Sequence, residues 1–189
     1  MILPKKPLKT VAFLFVIFVI PSLGLSQDAI LTNITVSNTR DDLLLYLNLE
    51  GSFREELQKA ILSGVPSSFS FFVKLNKVRN FWLDQEIADI EVTHTIKYDN
   101  LKKEFTVTRS WKADNPENTK SFTEAKKWMN EINSLKIIPL DRLEKDAHYQ
   151  LRVKAEVSKK TLPLYLHYIL FFVSLWDFET DWYAIDFIY

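Results

Sequence analysis

Apolar and polar residues alternate at every second position over long stretches of this chain, and this alternation limits its fold more than any other feature. Between Ala147 and Val157, apolar residues occupy the odd positions, while His, Gln, Arg, Lys and Glu occupy the even ones. A second stretch, from Ala88 to Tyr98, has a similar pattern. Because successive side chains of a β-strand point to opposite faces, each stretch predicts a strand with one buried face and one solvated face.

Other segments have the length and composition of strands. They cover residues 30–36, 43–49, 69–75, 105–107 and 183–189. Asp99-Asn100 predicts a hairpin turn between two of the strands, because both residue types favour turns.

Two short helices are predicted between strands. Each begins with the Ser-x-x-Glu pattern of a capping box, at Ser52 and at Ser121. Apolar residues then recur at helical spacing, as far as Ile61 and Ile132. The helices follow hairpins instead of alternating with every strand, which argues against a parallel sheet. The predicted fold class is mainly β (α+β): an antiparallel β-sandwich or open barrel of about 7–8 strands with two short helices.

The N-terminus has the three parts of a secretory signal peptide. Three lysines and no acidic residue precede an apolar run at 11–20, and Gly24-Leu25-Ser26 supplies small residues for cleavage. The run is shorter than the ~20 residues of a membrane-spanning helix, and an uncleaved membrane anchor is the alternative. We therefore predict a signal peptide at 1–26 and a single exported β-rich domain at 27–189.

The composition excludes several function classes. The chain has no cysteine, so it has neither disulfides nor a thiol nucleophile nor a zinc–thiolate site. Without the three N-terminal lysines it has 21 basic and 24 acidic residues, a net charge of −3, whereas a nucleic-acid-binding domain needs a basic face. Gly51 and Gly64 are the only glycines after residue 26, so no glycine-rich phosphate loop is present. No cofactor is predicted.

Residues 162–176 form an apolar run whose only ionisable groups are His167 and two tyrosines. The run is too short to span a bilayer as a helix. A central strand or core helix is the more common reason for such a run, and an interfacial segment is the alternative that carries a function. Tyrosine and tryptophan settle at membrane–water boundaries. The predicted interaction surface consists of Tyr165, Tyr168, Phe172, Trp176, Asp177, Glu179, Asp181 and Trp182.

Acidic residues and histidines were considered as metal-binding or catalytic groups. Asp177, Glu179 and Asp181 alternate, so on a strand their carboxylates would share one face, as in a site for a hard cation such as calcium. The residues that follow lack the glycine and glutamate of an EF-hand loop, and a solvated acidic edge is the favoured interpretation. His94 lies on the apolar side of its strand, which predicts a hydrogen-bonded core histidine. No catalytic or metal-binding residue is assigned.

Four segments resemble a bacterial protein family. They are Lys160–Tyr168, Ser174–Tyr183, Phe81-Trp82-Leu83-Asp84 and the strand pair Ile87–Arg109. The family is an exported domain-of-unknown-function family, number forty-three-ninety, and the resemblance covers essentially all of the chain after residue 26. It implies an exported protein in the periplasm, or on the periplasmic face of the membrane, of a Gram-negative bacterium. It assigns no catalytic residue. Genes of such proteins can lie near membrane sensor-kinase genes, and through this association the resemblance suggests a sensor kinase as a candidate partner.

The sequence thus favours a non-enzymatic binding module of the cell envelope, which contacts a membrane surface or a membrane protein through residues 162–183. One alternative is a hydrolase that uses carboxylates from the 177–186 region, or Asp84 and Glu86. The other is a small outer-membrane β-barrel, because aromatic and apolar residues alternate up to Tyr189. Capped helices and scarce glycine count against that barrel, so we expect the terminal strand to be buried within a sheet.

Overall fold

The protein is an antiparallel β-sandwich of two open sheets. The computed structural model describes residues 29–112, 116–157 and 178–189. The smaller sheet contains β1 (Ile30–Asn38), β2 (Asp42–Glu50) and β7 (Glu131–Pro139), in the order β1-β2-β7. The larger sheet contains β3 (Ser67–Lys77), β4 (Gln85–Asp99), β5 (Glu104–Arg109), β6 (Glu117–Thr119), β8 (His148–Val157) and β9 (Tyr183–Ile188), in the order β6-β5-β4-β3-β8-β9. The predicted fold class is confirmed, while the predicted signal peptide lies outside the described residues.

Two helices connect the sheets. Helix α1 (Glu55–Leu62) links β2 to β3, and helix α2 (Phe122–Asn130) links β6 to β7, so each connection passes from one sheet to the other. A single 3₁₀ turn, Leu140–Arg142, follows β7. Within the described part of the chain, no helix has both the length and the apolar composition to cross a membrane.

Alternation places one face of each central strand in the core. In β8, the odd-numbered residues from Tyr149 to Val157 are buried and the intervening ones are half-buried. The partner strand β3 is in register with β8, so that Phe71 lies opposite Ala155 and Val73 opposite Val153. The hydrophobic effect therefore fixes the register, because a shift of one residue would turn this apolar set towards solvent.

Of the two predicted capping boxes, the one at Ser121 forms only its serine half, because the Ser121 amide and the Glu124 carboxylate both bond to the Thr119 hydroxyl, and the one at Ser52 does not form. The Ser121 hydroxyl accepts a hydrogen bond from the Glu124 amide at 3.3 Å, at the first turn of α2. Helix α1 instead begins after Arg54, which makes no side-chain cap. The Ser52 hydroxyl is buried and donates to Asn130 Oδ1 at 2.8 Å, so a tertiary contact replaces the local cap.

We expect Ser121→Ala to lower the free energy of unfolding by about 1 kcal/mol, because the Glu124 amide loses its acceptor. Urea-induced unfolding of residues 27–189 measures the change. Ser37→Ala, at an exposed position of β1, is the control and is expected to change stability by less than about 0.5 kcal/mol. Equal losses in both variants would contradict the proposed cap.

Two segments between β5 and β8 differ from the prediction. Helix α2 ends at Asn130, whereas apolar spacing predicted a helix as far as Ile132. Glu131 is already extended, with φ −109° and ψ 131°, and Ile132 is buried as part of β7. The polar stretch 112–120, with Asp114-Asn115-Pro116, predicts a surface loop, but Glu117–Thr119 pairs with β5 as the short strand β6.

The terminal strand β9 is an edge strand, so the expectation that it is buried within a sheet is wrong. Among the described strands it pairs only with β8, and four of its six residues are exposed. Within the described ranges, strand β1 is likewise at a sheet edge and pairs with β2 alone. The β1–β2 register shifts between Thr32 and Thr35, and Asn33 in this bulge has a left-handed φ of 51°.

Candidate interaction surface

The residues that flank the segment 158–177 are bonded to each other. The amide of Val157, the last residue of β8, donates to the carbonyl oxygen of Phe178 at 3.1 Å. Glu156 and Glu179 form an antiparallel β-bridge beside this bond. The segment that contains the apolar run is therefore attached to the larger sheet at one fixed position.

Phe178 and Thr180 hold the chain that follows the segment 158–177 against the core. The Phe178 ring is buried and lies edge-on to Phe69, with 5.0 Å between the ring centroids. The buried Thr180 makes two bonds to Ala155: its amide donates to the carbonyl oxygen at 2.9 Å, and its hydroxyl accepts from the amide at 3.0 Å. Because both residues face inward, the neighbouring Glu179 and Asp181 are exposed.

The N-terminal end of the described chain lies at the same place. Ala29–Leu31 and residues 179–183 together line a cleft of about 520 Å³. We call this end of the sandwich, which carries Ala29 and Val157, the junction end. Both apolar runs of the sequence, 11–20 and 162–176, are connected to the fold there.

The β4–β5 hairpin also ends at the junction end, because Asp99 lies beyond the part of β4 that pairs with the start of β3. Its tip exposes Leu101 (96% accessible) beside the exposed Lys102 and Lys103. The Asp99 carboxylate accepts hydrogen bonds from the amides of Lys102 (3.0 Å) and Leu101 (2.9 Å), which lower the pKa of Asp99. The tip thus has a defined turn that presents one apolar side chain next to two cations.

The structure describes three of the predicted surface residues. Glu179 binds the Lys154 ammonium group at 2.5 Å, and Asp181 is exposed. The Trp182 ring lies 5.1 Å from the Arg152 guanidinium and 5.9 Å from the Lys154 ammonium, both suitable for cation–π contacts. The other five lie outside the described residues: Tyr165, Tyr168, Phe172, Trp176 and Asp177.

A second apolar surface lies at the opposite end of the sandwich. The turn between β3 and β4 exposes Phe81, Trp82 and Leu83, which are 97%, 77% and 83% accessible. We call this region, residues 78–84, the hairpin end. In the sequence, these three residues indicated only the family resemblance. A signal was nevertheless present, since three consecutive large apolar residues are unusual in a turn between strands.

Residues 26–186 match the family described as Domain of unknown function (DUF4390). The chain belongs to this family. The match covers β1 to β8 and the first four residues of β9, and it confirms the resemblance drawn from the four sequence segments. Comparisons with curated proteins and with solved structures find no match.

In this DUF4390 domain, two of the carboxylates suggested for a hydrolase site, Glu179 and Asp186, are held apart. Glu179 binds Lys154, whereas Asp186 accepts a hydrogen bond from Gln150 Nε2 at 3.0 Å. Lys154 and Gln150 lie four residues apart on β8, a separation of about 13 Å. Across the described ranges, no three His, Asp or Glu side chains are grouped as a metal site. The other two candidates lie at or next to the hairpin end: Asp84 and Glu86.

His94 of the DUF4390 domain is a core residue, as predicted. Its Nδ1 lies 2.9 Å from the carbonyl oxygen of Met129, and its Nε2 lies 2.9 Å from Trp111 Nε1. A carbonyl only accepts and an indole N–H only donates, so Nδ1 carries the proton and Nε2 is the acceptor. Burial lowers the pKa of His94 to about 4, and the charges of Arg109 and Lys112 act in the same direction. The fold therefore holds the neutral imidazole.

Proposed function

We propose that this DUF4390 domain is a non-enzymatic binding module of the bacterial cell envelope. Its junction end contacts a membrane surface, with the region 162–183 at the contact. Residues 1–26 direct export, and the domain then acts in the periplasm or on the periplasmic face of the membrane. A membrane protein such as a sensor kinase is the alternative target at the same surface.

The observation that carries the proposal is the place where the apolar run 162–176 is attached. The run lies between Val157 and Phe178, which are joined by a hydrogen bond at the junction end. Residues 1–26 precede the fold near Ala29, which borders a cleft at the same end. A membrane that receives the run 162–176 therefore lies at the junction end.

Exposed side chains of the junction end also support membrane contact. Leu101 is almost fully exposed and is followed by two exposed lysines, a combination that favours the interface of an anionic bilayer. Trp182 and Tyr183 are partly exposed at the nearby edge of the larger sheet. Such amphipathic rings prefer the headgroup region.

We expect residues 27–189 to float with vesicles that contain phosphatidylglycerol. Leu101→Asp should reduce the partition coefficient at least tenfold, because burial of a leucine side chain contributes about 1.5–3 kcal/mol. Flotation through a density gradient measures the bound fraction, and circular dichroism confirms that the variant is folded.

Leu83→Asp is the matched control, since Leu83 is similarly exposed but lies at the hairpin end. It should leave flotation unchanged. Absence of flotation for the unmodified domain, or an equal loss in both variants, would refute membrane contact through the junction end. Binding to membrane extracts but not to protein-free vesicles would instead favour a membrane protein as the target.

A further inference from the structure

We infer that the hairpin end is a docking site for a second protein, which receives Phe81, Trp82 and Leu83 in a concave apolar pocket with a rim of both charges. This site is separate from the junction end. It consists of the turn between β3 and β4, which contacts the neighbouring residues Glu144 and His148.

The first observation is the exposure of three adjacent apolar side chains. Phe81, Trp82 and Leu83 are all more than three-quarters accessible, so the turn gains almost nothing from them in the isolated fold. Exposed apolar groups of this size indicate a surface that a partner covers. Large aromatic side chains that enter a partner's pocket are the most common energetic anchors of protein interfaces.

The turn is also held in shape before any partner binds. The Val78 amide donates to the carbonyl oxygen of His148 at 2.9 Å, which ties the start of the turn to β8. The Arg79 amide donates to the Asp84 carboxylate at 3.2 Å across the turn, and its guanidinium bonds to Gln85. A preorganised tip loses less conformational entropy on binding, which favours a specific protein contact.

Charge at the hairpin end favours a protein partner over an anionic bilayer. Lys77 and Arg79 are balanced by Asp84, Glu86 and Glu144, and Lys77 forms an ion pair with Glu144. Such a rim lacks the excess of cations that attracts anionic lipid. By contrast, the exposed tip of the β4–β5 hairpin carries consecutive lysines.

The position of the hairpin end also favours a protein partner over a bilayer. This step rests on the proposed function. Phe69 pairs with Val157 at the junction end, and Lys77 pairs with Tyr149 next to the hairpin end. Eight residues of β3 separate the two positions, about 27 Å along the strand. If the junction end lies on a bilayer, the three apolar residues face away from it and towards the aqueous space.

Site-specific photocrosslinking of the full chain in its native host tests the inference. p-Benzoylphenylalanine replaces Trp82, or Leu101 as the control for an exposed apolar residue at the other end. We expect one discrete crosslinked protein from position 82 and a different pattern from position 101. The identified protein, once purified, should bind the full chain in a calorimetric titration, and Trp82→Ala should weaken that binding by about thirtyfold or more.

Three outcomes would overturn the inference: no discrete product at position 82, a product that contains only two copies of this chain, or loss of vesicle flotation in Trp82→Ala. The test is independent of membrane contact. Leu101→Asp should reduce the partition coefficient at least tenfold yet leave the crosslink at position 82 intact, so failure of either idea is recognised separately.

Discussion

Phe69→Ala is expected to lower the free energy of unfolding by about 3–5 kcal/mol. The Phe69 side chain is fully buried, and its ring packs edge-on against both Phe53 (5.4 Å between centroids) and Phe178 (5.0 Å). Truncation leaves a cavity between Phe53, which precedes helix α1, and Phe178 at the junction end. Since the free energy of unfolding of a domain is only about 5–15 kcal/mol, this single change removes a large share of it.

Urea-induced unfolding of residues 27–189, followed by tryptophan fluorescence, measures the effect. Phe72→Ala is the matched control, because Phe72 belongs to the same strand but points to the outer, half-exposed face. We expect it to cost less than half as much stability. Losses of equal size would mean that the inner face of β3 does not form the core described above.

Acid should destabilise the fold by about 3 kcal/mol through His94 alone. The unfolded chain binds a proton at this histidine near its ordinary pKa of 6.5, whereas the folded protein does so only near 4. Between these values the unfolded state holds more protons, so the stabilisation is complete above pH 6.5 and is lost as pH falls towards 4. Each pKa unit of difference corresponds to about 1.4 kcal/mol.

The physical reason is the pair of bonds around the imidazole. A protonated ring would direct an N–H of Nε2 at the indole N–H of Trp111, close to the positive charges of Arg109 and Lys112. Unfolding curves measured at intervals from pH 7 to about pH 4 test the prediction. His94→Gln should be less stable at neutral pH, but its free energy of unfolding should fall less steeply as the pH is lowered. His148→Gln, at the exposed start of β8, should retain the steeper fall. An unchanged slope in His94→Gln would contradict the assignment.

The sequence predicted those parts of the fold that follow from local periodicity. The strand at 147–157 appears within a residue of its expected bounds, and the core position of His94 followed from its side of the strand. Periodicity failed where tertiary contacts decided the outcome. Ile132 has helical spacing to the residues of α2, but it is buried by pairing of β7 with β2, a contact far away in sequence.

Other errors also have a long-range origin. Ser52 has the sequence of a cap, yet Asn130, 78 residues later, takes its hydroxyl. The candidate surface could be predicted only in part, because alternation indicated Glu179 and Asp181 as outward-facing but could not reveal the cations beneath Trp182. The exposure of Leu101 was not predicted, since a turn sequence does not show which side chains the rest of the fold leaves uncovered.

The bulge in β1 has a consequence for how separate molecules behave at high concentration. A regular edge strand offers a row of free N–H and C=O groups on which strands from other chains can stack. Here the left-handed backbone at Asn33 interrupts that row on an edge rich in threonine and isoleucine, residues with high β-propensity. The small conformational cost at one residue thus protects against cross-β aggregation, and deletion of Asn33 would produce a continuous template for it.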